Sequence, residues 1–356
     1  MIEKELQECL SAENVDRLLA WYARCRRDLP WRRTKDPYRI WLSEIMLQQT
    51  RVEAVKPYYQ RFLSVCPTVK ALAECPEERL MKLWEGLGYY SRARNLQKAA
   101  KTVMSVYGGV IPDEYESLLS LSGIGEYTAG AIASIAYQRR VPAVDGNVLR
   151  VLARLSGSRA DIAAEQTKKE FRRDLAPYVP KEAGDFTQAM IELGATVCVP
   201  NGEAECGVCP LRHVCHAARD SLTGEIPVRG AKKARRVEKK TVFLIREESV
   251  TVLRRRPPKG LLAGLFELPN TEGHLNEAEA LDFVRSLGLE PLRILRIEDA
   301  KHIFTHIEWQ MIAYDVRITP EFDGVRGKEE LLLIPNDTLH REYAVPSAFA
   351  AYKKYI

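Results

Sequence analysis

Four cysteines crowd into one short segment, Cys198, Cys206, Cys209 and Cys215, with the spacing C-x(7)-C-x(2)-C-x(5)-C. Four thiolates this close in the chain can converge on one inorganic centre, and such a centre fixes the path of the backbone around it. On chemistry alone a four-thiolate zinc site and an iron–sulfur cluster account for the spacing equally well. Disulfides are disfavoured, because the compartment is expected to be reducing. The opening residues MIEKELQECL are amphipathic and acidic without a secretory or mitochondrial pattern, and no apolar run approaches the roughly 18 residues of a membrane span. A cytoplasmic, monomeric protein is therefore expected. Cys9, Cys25, Cys66 and Cys75 are scattered and read as small core residues.

The chain upstream of the cysteines is patterned for helices, with apolar stripes of period 3.6 and short Gly/Pro turns. Asp36-Pro37 reads as an N-cap followed by proline at the first helical position, ahead of an apolar face made by Tyr38, Trp41, Leu42 and Ile45. A similar stripe, Val148, Val151, Leu152 and Leu155, follows Asn147. From about residue 221 the texture changes. SLTGEIPVRGAKKARRVEKK is poor in apolar residues and holds seven basic ones between Arg229 and Lys240, which fits a solvated linker or a tether lying on a polyanion. Short β-like runs follow, broken by a helical stretch from Asn276 to Leu287. At 356 residues two domains are expected: an all-α one over 1–220, then, after a linker at 221–237, a smaller α+β one over 238–356. The net charge of +5 is too small to name a partner.

Three stretches suggest chemistry. YESLLSLSGIGEYTAGAIASIAY reads helix, glycine turn, helix, with Gly123 and Gly125 leaving the backbone of the turn open to close approach. Amides at the start of the second helix then suit a phosphate, although a lone Gly-x-Gly is more often an ordinary turn. Asp145 in VPAVDGNVLR reads first as an N-cap. Glu44 in WLSEIMLQQTRVEAV shares a helical flank with Trp41 and Gln48, beside the apolar face.

Taken together, the glycine hairpin, VDGN, SEIMLQQTRV, LPWR, WEGLGYYSRARNL and the cysteine spacing resemble the MutY-like adenine DNA glycosylases over residues 20 to 220. The resemblance implies an all-α helix-hairpin-helix glycosylase domain (hairpin at about 114–137) closed by a 4Fe–4S loop on the four cysteines. It also implies hydrolysis of the glycosidic bond of adenine mispaired with 8-oxoguanine or guanine in double-stranded DNA. By the same resemblance Glu44 is the catalytic acid and Asp145 stabilises the sugar cation, while Tyr127 and Asn147 position Asp145 and water. Trp31, Arg32, Leu47 and Gln188 enclose the flipped adenine. Gln49, Thr50, Leu87 and Tyr89 enter the duplex, and Gly123, Gly125, Arg92 and Arg94 hold phosphates.

Residues 238–356 resemble the Nudix-like C-terminal domain of the same family, with GLLAGLFELPN as its glycine-rich opening. The clustered Arg-Glu and Glu-Glu pairs of a metal-binding Nudix helix are missing after Gly273, which argues against a nucleotide hydrolase. Where the family reads 8-oxoguanine through Phe-Ser-His, this chain has Phe304, Thr305 and His306. The nearest alternative is an endonuclease III-type glycosylase/lyase, which places a lysine where Tyr127 stands and lacks the second domain. A non-catalytic iron–sulfur DNA-binding redox sensor is the other.

Overall fold

The computed structural model describes residues 2–230, 234–319 and 331–356. Of the linker expected over 221–237, residues 231–233 lie outside the described residues. The chain folds into two compact units, the first running to Glu74 and again from Asn95 to residue 231.

The first unit is helical, and its helix starts are those written locally in the sequence. Asp36 accepts a hydrogen bond from Tyr38 N at 2.9 Å, with Pro37 opening the helix Pro37–Leu47. Asp145 likewise caps the helix Gly146–Ser156, which ends on Gly157 in the left-handed region (φ 67°). The expected stripe Val148, Val151, Leu152 and Leu155 is buried, packed with Trp21, Tyr22, Phe171, Phe186, Met190 and Leu193. Truncating one of these, such as Leu152→Ala, costs about 2–5 kcal/mol by lost transfer energy and the cavity left behind. Tyr38, Trp41, Leu42 and Ile45 are buried as the 3.6-residue period implies. The segment after residue 220 is tied down before the linker proper: Arg154 donates to Ile226 O and to Thr223 O, both at 2.7 Å.

The second unit joins residues 75–94 to residues 232–356. Its sheet runs in the order β3 (Phe266–Glu267), β2 (Val250–Arg255), β1 (Arg236–Arg246), β6 (Ile307–Ile318), β5 (Pro291–Ile303), with β4 (Asn270–Glu272) on β1 and β7 (Leu331–Pro335) on β2. β1 and β6 are parallel, and their central place leaves both faces covered. Alternation along β1 splits the core accordingly. Val242 and Leu244 join Trp309, Phe349 and Tyr352 on one side, and Phe243 and Ile245 join Val284, Tyr314 and Val316 on the other. The helix Glu277–Ser286 covers the latter face and begins with a capping box between Asn276 and Glu279.

Residues 75–94 are the part of the fold that the linear pattern does not assign to this unit. The helix Glu77–Trp84 buries Leu80, Met81, Leu83 and Trp84, an ordinary amphipathic face that does not say which surface it will meet. Lys82 Nζ donates to Tyr343 O at 3.0 Å. Glu85 accepts from Val345 N at 3.2 Å and Lys353 Nζ at 2.5 Å. Burial pushes the Glu85 carboxyl up, but Lys353 and Lys82 more than offset it and hold it below the usual carboxylate range.

Candidate active site

In the first unit a cavity of about 980 Å³ is lined by Trp31, Arg32, Glu44, Leu47, Gln48, Gln49, Thr50, Tyr127, Asp145, Asn147 and Gln188. It therefore gathers residues that are far apart in the chain, from four helices and the loops beside them. Glu44 lies on the inner face of the helix Pro37–Leu47 and is only 7% exposed. Tyr127, one residue into the helix Glu126–Tyr137, donates its hydroxyl to Glu44 Oε2 at 2.6 Å. Burial pushes the Glu44 carboxyl up to about 7, and the charge of Asp145 adds to the rise. The Tyr127 hydrogen bond and Arg32 pull the other way without overcoming it. Tyr127 itself is held well above the ordinary phenol range by burial, by Glu44 and by Asp145. It remains a hydrogen-bond donor at neutral pH.

Asp145 serves as cap and cavity wall at once. Its Oδ1 accepts from the amides of Asn147 and Val148, both at 2.8 Å, and its Oδ2 accepts from Asn147 Nδ2 at 2.8 Å. Burial raises this carboxyl above the ordinary range, and those three donors and Arg150, which favour its charged form, offset the rise only in part. Asn147 is held in turn by Arg150, whose Nη2 donates to Asn147 Oδ1 at 2.9 Å and to Gly194 O at 2.7 Å. A Cβ on Gly194 would stand 2.6 Å from Asn147 Cβ, so this helix–helix approach needs glycine. The hydroxyl of Tyr127, expected to position Asp145 and water, is engaged with Glu44, because the first turn of its helix faces the helix Pro37–Leu47. Asn147 alone among the expected pair bonds Asp145.

Arg27, which lines the cavity, and Glu192, behind its wall, escaped the linear reading. Glu192 is fully buried and accepts from Arg27 N and Nε at 2.9 Å, Arg27 Nη2 at 2.7 Å and Arg32 Nη2 at 2.8 Å. Burial alone would raise its pKa, but the two guanidiniums hold it down at about 2. Arg32, expected beside the adenine, is thus fixed by a buried carboxylate. The available signal was that Gln188 and Glu192 lie four residues apart on one helical face.

At the hairpin, Gly123 is left-handed (φ 77°), and a Cβ there would stand 2.6 Å from Asn95 Cβ. Gly125, the N-cap of the second helix, is extended (φ −95°) with open space where a Cβ would be. Glycine is thus required by the fold at 123 and leaves an open approach at 125. Glu126 pairs with Arg172 beside it.

The four cysteines of the 198–215 segment are all free thiols. Burial, then the neighbouring Cys198, Cys215 and Cys206, push the Cys209 thiol up to about 12, so the four sulfurs feel one another. Donors aim at them: Arg154 Nη1 lies 3.2 Å from Cys198 Sγ, and the backbone amides of Leu211, Ala217 and Ala218 favour the thiolates of Cys209 and Cys215. Among the described residues no group of three or more His, Cys, Asp or Glu side chains is drawn together as ligands of a single metal ion.

The second unit brings together Leu87, Tyr89, Phe304, Thr305 and His306 around a separate cavity of about 570 Å³. The Tyr89 hydroxyl and Thr305 Oγ1 are 2.7 Å apart. Phe304 packs edge-on against His302 and Trp309, with ring centroids 4.5 and 5.0 Å away, while Thr305 and His306 are exposed at the turn between β5 and β6. Tyr89 (φ 48°) and Gln49 (φ 57°) both hold a left-handed backbone that non-glycine residues avoid.

Arg92 and Arg94, expected to hold phosphates, both have partners within the protein. Arg94 Nε is paired with Glu77 at 2.7 Å. Arg92 Nη2 donates to Leu87 O at 3.0 Å and Gly88 O at 3.2 Å, turned inward because aromatic rings and turn carbonyls offer it closer partners than solvent does.

Comparison with known proteins agrees with this geometry. Residues 42–177 match the HhH-GPD superfamily base excision DNA repair protein model, and residues 241–355 match the NUDIX domain model. A thermostable thymine-DNA glycosylase shares the fold of the first part with a TM-score of 0.52 and 27% identity, over 58% of this chain and 95% of its own. An endonuclease III–DNA complex gives 0.51 and 25%, over 62% of this chain and 98% of that one. Adenine DNA glycosylase of Mus musculus is 33% identical over 360 residues, 85% of this chain and 70% of the mouse protein. That of Buchnera aphidicola subsp. Acyrthosiphon pisum is 33% identical over 291 residues, 81% of this chain and 82% of its own. With an all-helical unit followed by a Nudix-like sheet unit, and with relatives at this identity across both, the chain belongs to the adenine DNA glycosylase family of base excision repair enzymes.

Proposed function

We propose that this enzyme removes adenine paired with 8-oxoguanine in duplex DNA by hydrolysis, without cutting the strand. The observation that carries the reading is the Glu44 carboxyl, buried in the wall of a cavity large enough to admit adenine and raised to about 7. A glycosidic bond to adenine breaks with build-up of positive charge on the sugar and negative charge on the base. Two carboxyl groups in different protonation states answer both needs.

Extruding the adenine costs a few kcal/mol, and the cavity beside Trp31, Leu47 and Gln188 receives it. Glu44, protonated near neutral pH, donates its proton to a ring nitrogen of the base and so improves the leaving group. Tyr127 fixes the orientation of that carboxyl through its bond to Oε2. Asp145, with three donors favouring its charged form, stabilises the cation developing on the sugar. Water then completes the hydrolysis. Tyr127 stands where a lysine nucleophile would be needed for strand cleavage, and its phenol, held above its ordinary range, has no free amine to form an imine.

The donor set of Cys198, Cys206, Cys209 and Cys215, with an arginine and three amides aimed at the sulfurs, fits a 4Fe–4S cluster. When bound, it ties the 198–215 loop through four thiolates. In the second unit Phe304, Thr305 and His306 would meet the 8-oxoguanine, with Thr305 keeping the hydroxyl of the family's serine. The site of action is chromosomal DNA inside the cell.

Single-turnover excision on duplexes with adenine opposite 8-oxoguanine or guanine tests the reading. We expect faster release opposite 8-oxoguanine, strand scission only after added base, and release lost in Glu44→Gln and in Asp145→Asn. Wild-type rates in either variant, or nicking without base through a borohydride-trappable complex, overturn it.

A further inference from the structure

The Leu87–Tyr89 turn is expected to enter the duplex, yet nothing in its own sequence makes it rigid. It contains Gly86 and Gly88, both left-handed (φ 97° and 70°), and Tyr89 holds a left-handed backbone with its ring 46% exposed. Such a segment is entropically costly to hold in one shape. Beside the Tyr89–Thr305 hydroxyl contact, one cation gathers its support. The Arg92 guanidinium lies 5.5 Å from the ring centroids of both Trp84 and Tyr89. The same group donates from Nη2 to Leu87 O and Gly88 O. Trp84 Nε1 adds a bond to Gly88 O at 3.1 Å. Two carbonyls of the turn, Leu87 O and Gly88 O, and the Tyr89 ring are therefore tied to one guanidinium or to its aromatic neighbour. Burial lowers the pKa of Arg92 to about 10, so it stays charged at neutral pH.

We propose that Arg92 is a positioning residue, an internal brace that keeps the Leu87–Gly88–Tyr89 turn preformed as the wedge that replaces the extruded adenine, and not a phosphate contact. This rests on the reading that Tyr89 enters the duplex. A preformed wedge does not have to be ordered at the moment of base flipping, so the brace acts on extrusion and leaves non-specific DNA affinity alone. A lysine is a poor replacement, since its compact, strongly hydrated ammonium lacks the planar face that lies 5.5 Å from both ring centroids.

Arg92→Lys and Trp84→Phe are compared with the wild type and with Tyr89→Ala, all as full chains. Amide hydrogen exchange of residues 86–90 in the DNA-free protein reads the brace directly. Extrusion is read by the fluorescence of 2-aminopurine placed as the target base, and non-specific affinity by the salt dependence of binding to undamaged duplex. For Arg92→Lys we expect faster exchange confined to that turn, extrusion and single-turnover excision slowed about tenfold, and an unchanged salt slope. Trp84→Phe, which keeps an aromatic ring under the guanidinium but loses the Nε1 donor and part of a buried indole, should show the same pattern more weakly. A phosphate contact predicts the opposite: lysine rescues, while an Arg92→Gln protein loses about 0.9 of a unit of salt slope. Unchanged exchange in the turn of both variants, or rescue by lysine, overturns the brace. If exchange rises but Tyr89→Ala excises at the wild-type rate, the brace stands and the wedge reading of Tyr89 fails.

Discussion

Glu44 shows how one residue's chemistry is set by its surroundings. As a general acid it must be protonated, so excision should fall as pH rises through about 7, the value to which burial has moved it. Glu44→Gln should lower the single-turnover rate by about a hundred- to ten-thousand-fold. The Tyr127 hydrogen bond favours the carboxylate, so Tyr127→Phe raises the Glu44 pKa further. The alkaline limb of the pH–rate profile should then move to higher pH, and a limb that moves down would contradict this geometry. Glu192 works with the opposite sign. Its folded-state pKa is depressed to about 2, so its contribution is present above the ordinary carboxylate pKa and is lost as pH falls toward 2. Glu192→Ala would leave Arg32 buried with its principal partner gone, at a cost of about 3 kcal/mol in a urea melt at neutral pH.

At the scale of elements, the hairpin separates folding from binding within three residues. Gly123→Ala puts a Cβ into Asn95 on a left-handed backbone, and the melting free energy should fall by about 1–3 kcal/mol. Gly125→Ala meets nothing within the protein, so its melting temperature should hold while affinity for duplex DNA drops. Equal effects of the two substitutions on melting would remove the distinction. The helix starts at Asp36 and Asp145 were legible because a cap is a local event, a side chain bonding an amide two or three residues on. The same locality made the stripes at Tyr38–Ile45 and Val148–Leu155 readable. The partners of Arg92 and Arg94 within the protein were not. A surface cation and a buried brace have identical sequence signatures, and the difference lies in rings and carbonyls that only the folded turn presents.

For the whole molecule, the notable point is that residues 75–94 pack with residues 232–356 although the linear pattern places them among the helices of the first unit. A chain ending before residue 232 keeps the four cysteines but removes the partners of Lys82 and Glu85, namely Tyr343, Val345 and Lys353. Such a truncation should expose the apolar face of Glu77–Trp84, lower the melting temperature and reduce the preference for adenine opposite 8-oxoguanine, as read by excision on paired duplexes. If the truncated protein melted and discriminated like the full chain, the turn at Tyr89 would owe nothing to the second unit.

The sequence by itself determined whatever is written in neighbours along the chain: helix caps, stripe periods, the cysteine spacing, the change of texture near residue 221 and the motif residues that announced a glycosylase. Tertiary structure alone decided that the Glu44 carboxyl is raised to about 7, since its desolvation depends on walls contributed by distant helices. It also decided that Tyr127 serves Glu44, that Glu192 anchors Arg32, and that a helix and turn from the middle of the first domain's sequence complete the second unit. The physical reason is the same in each case. Burial and pairing are properties of the space around a side chain, and that space is filled by residues the local sequence does not contain.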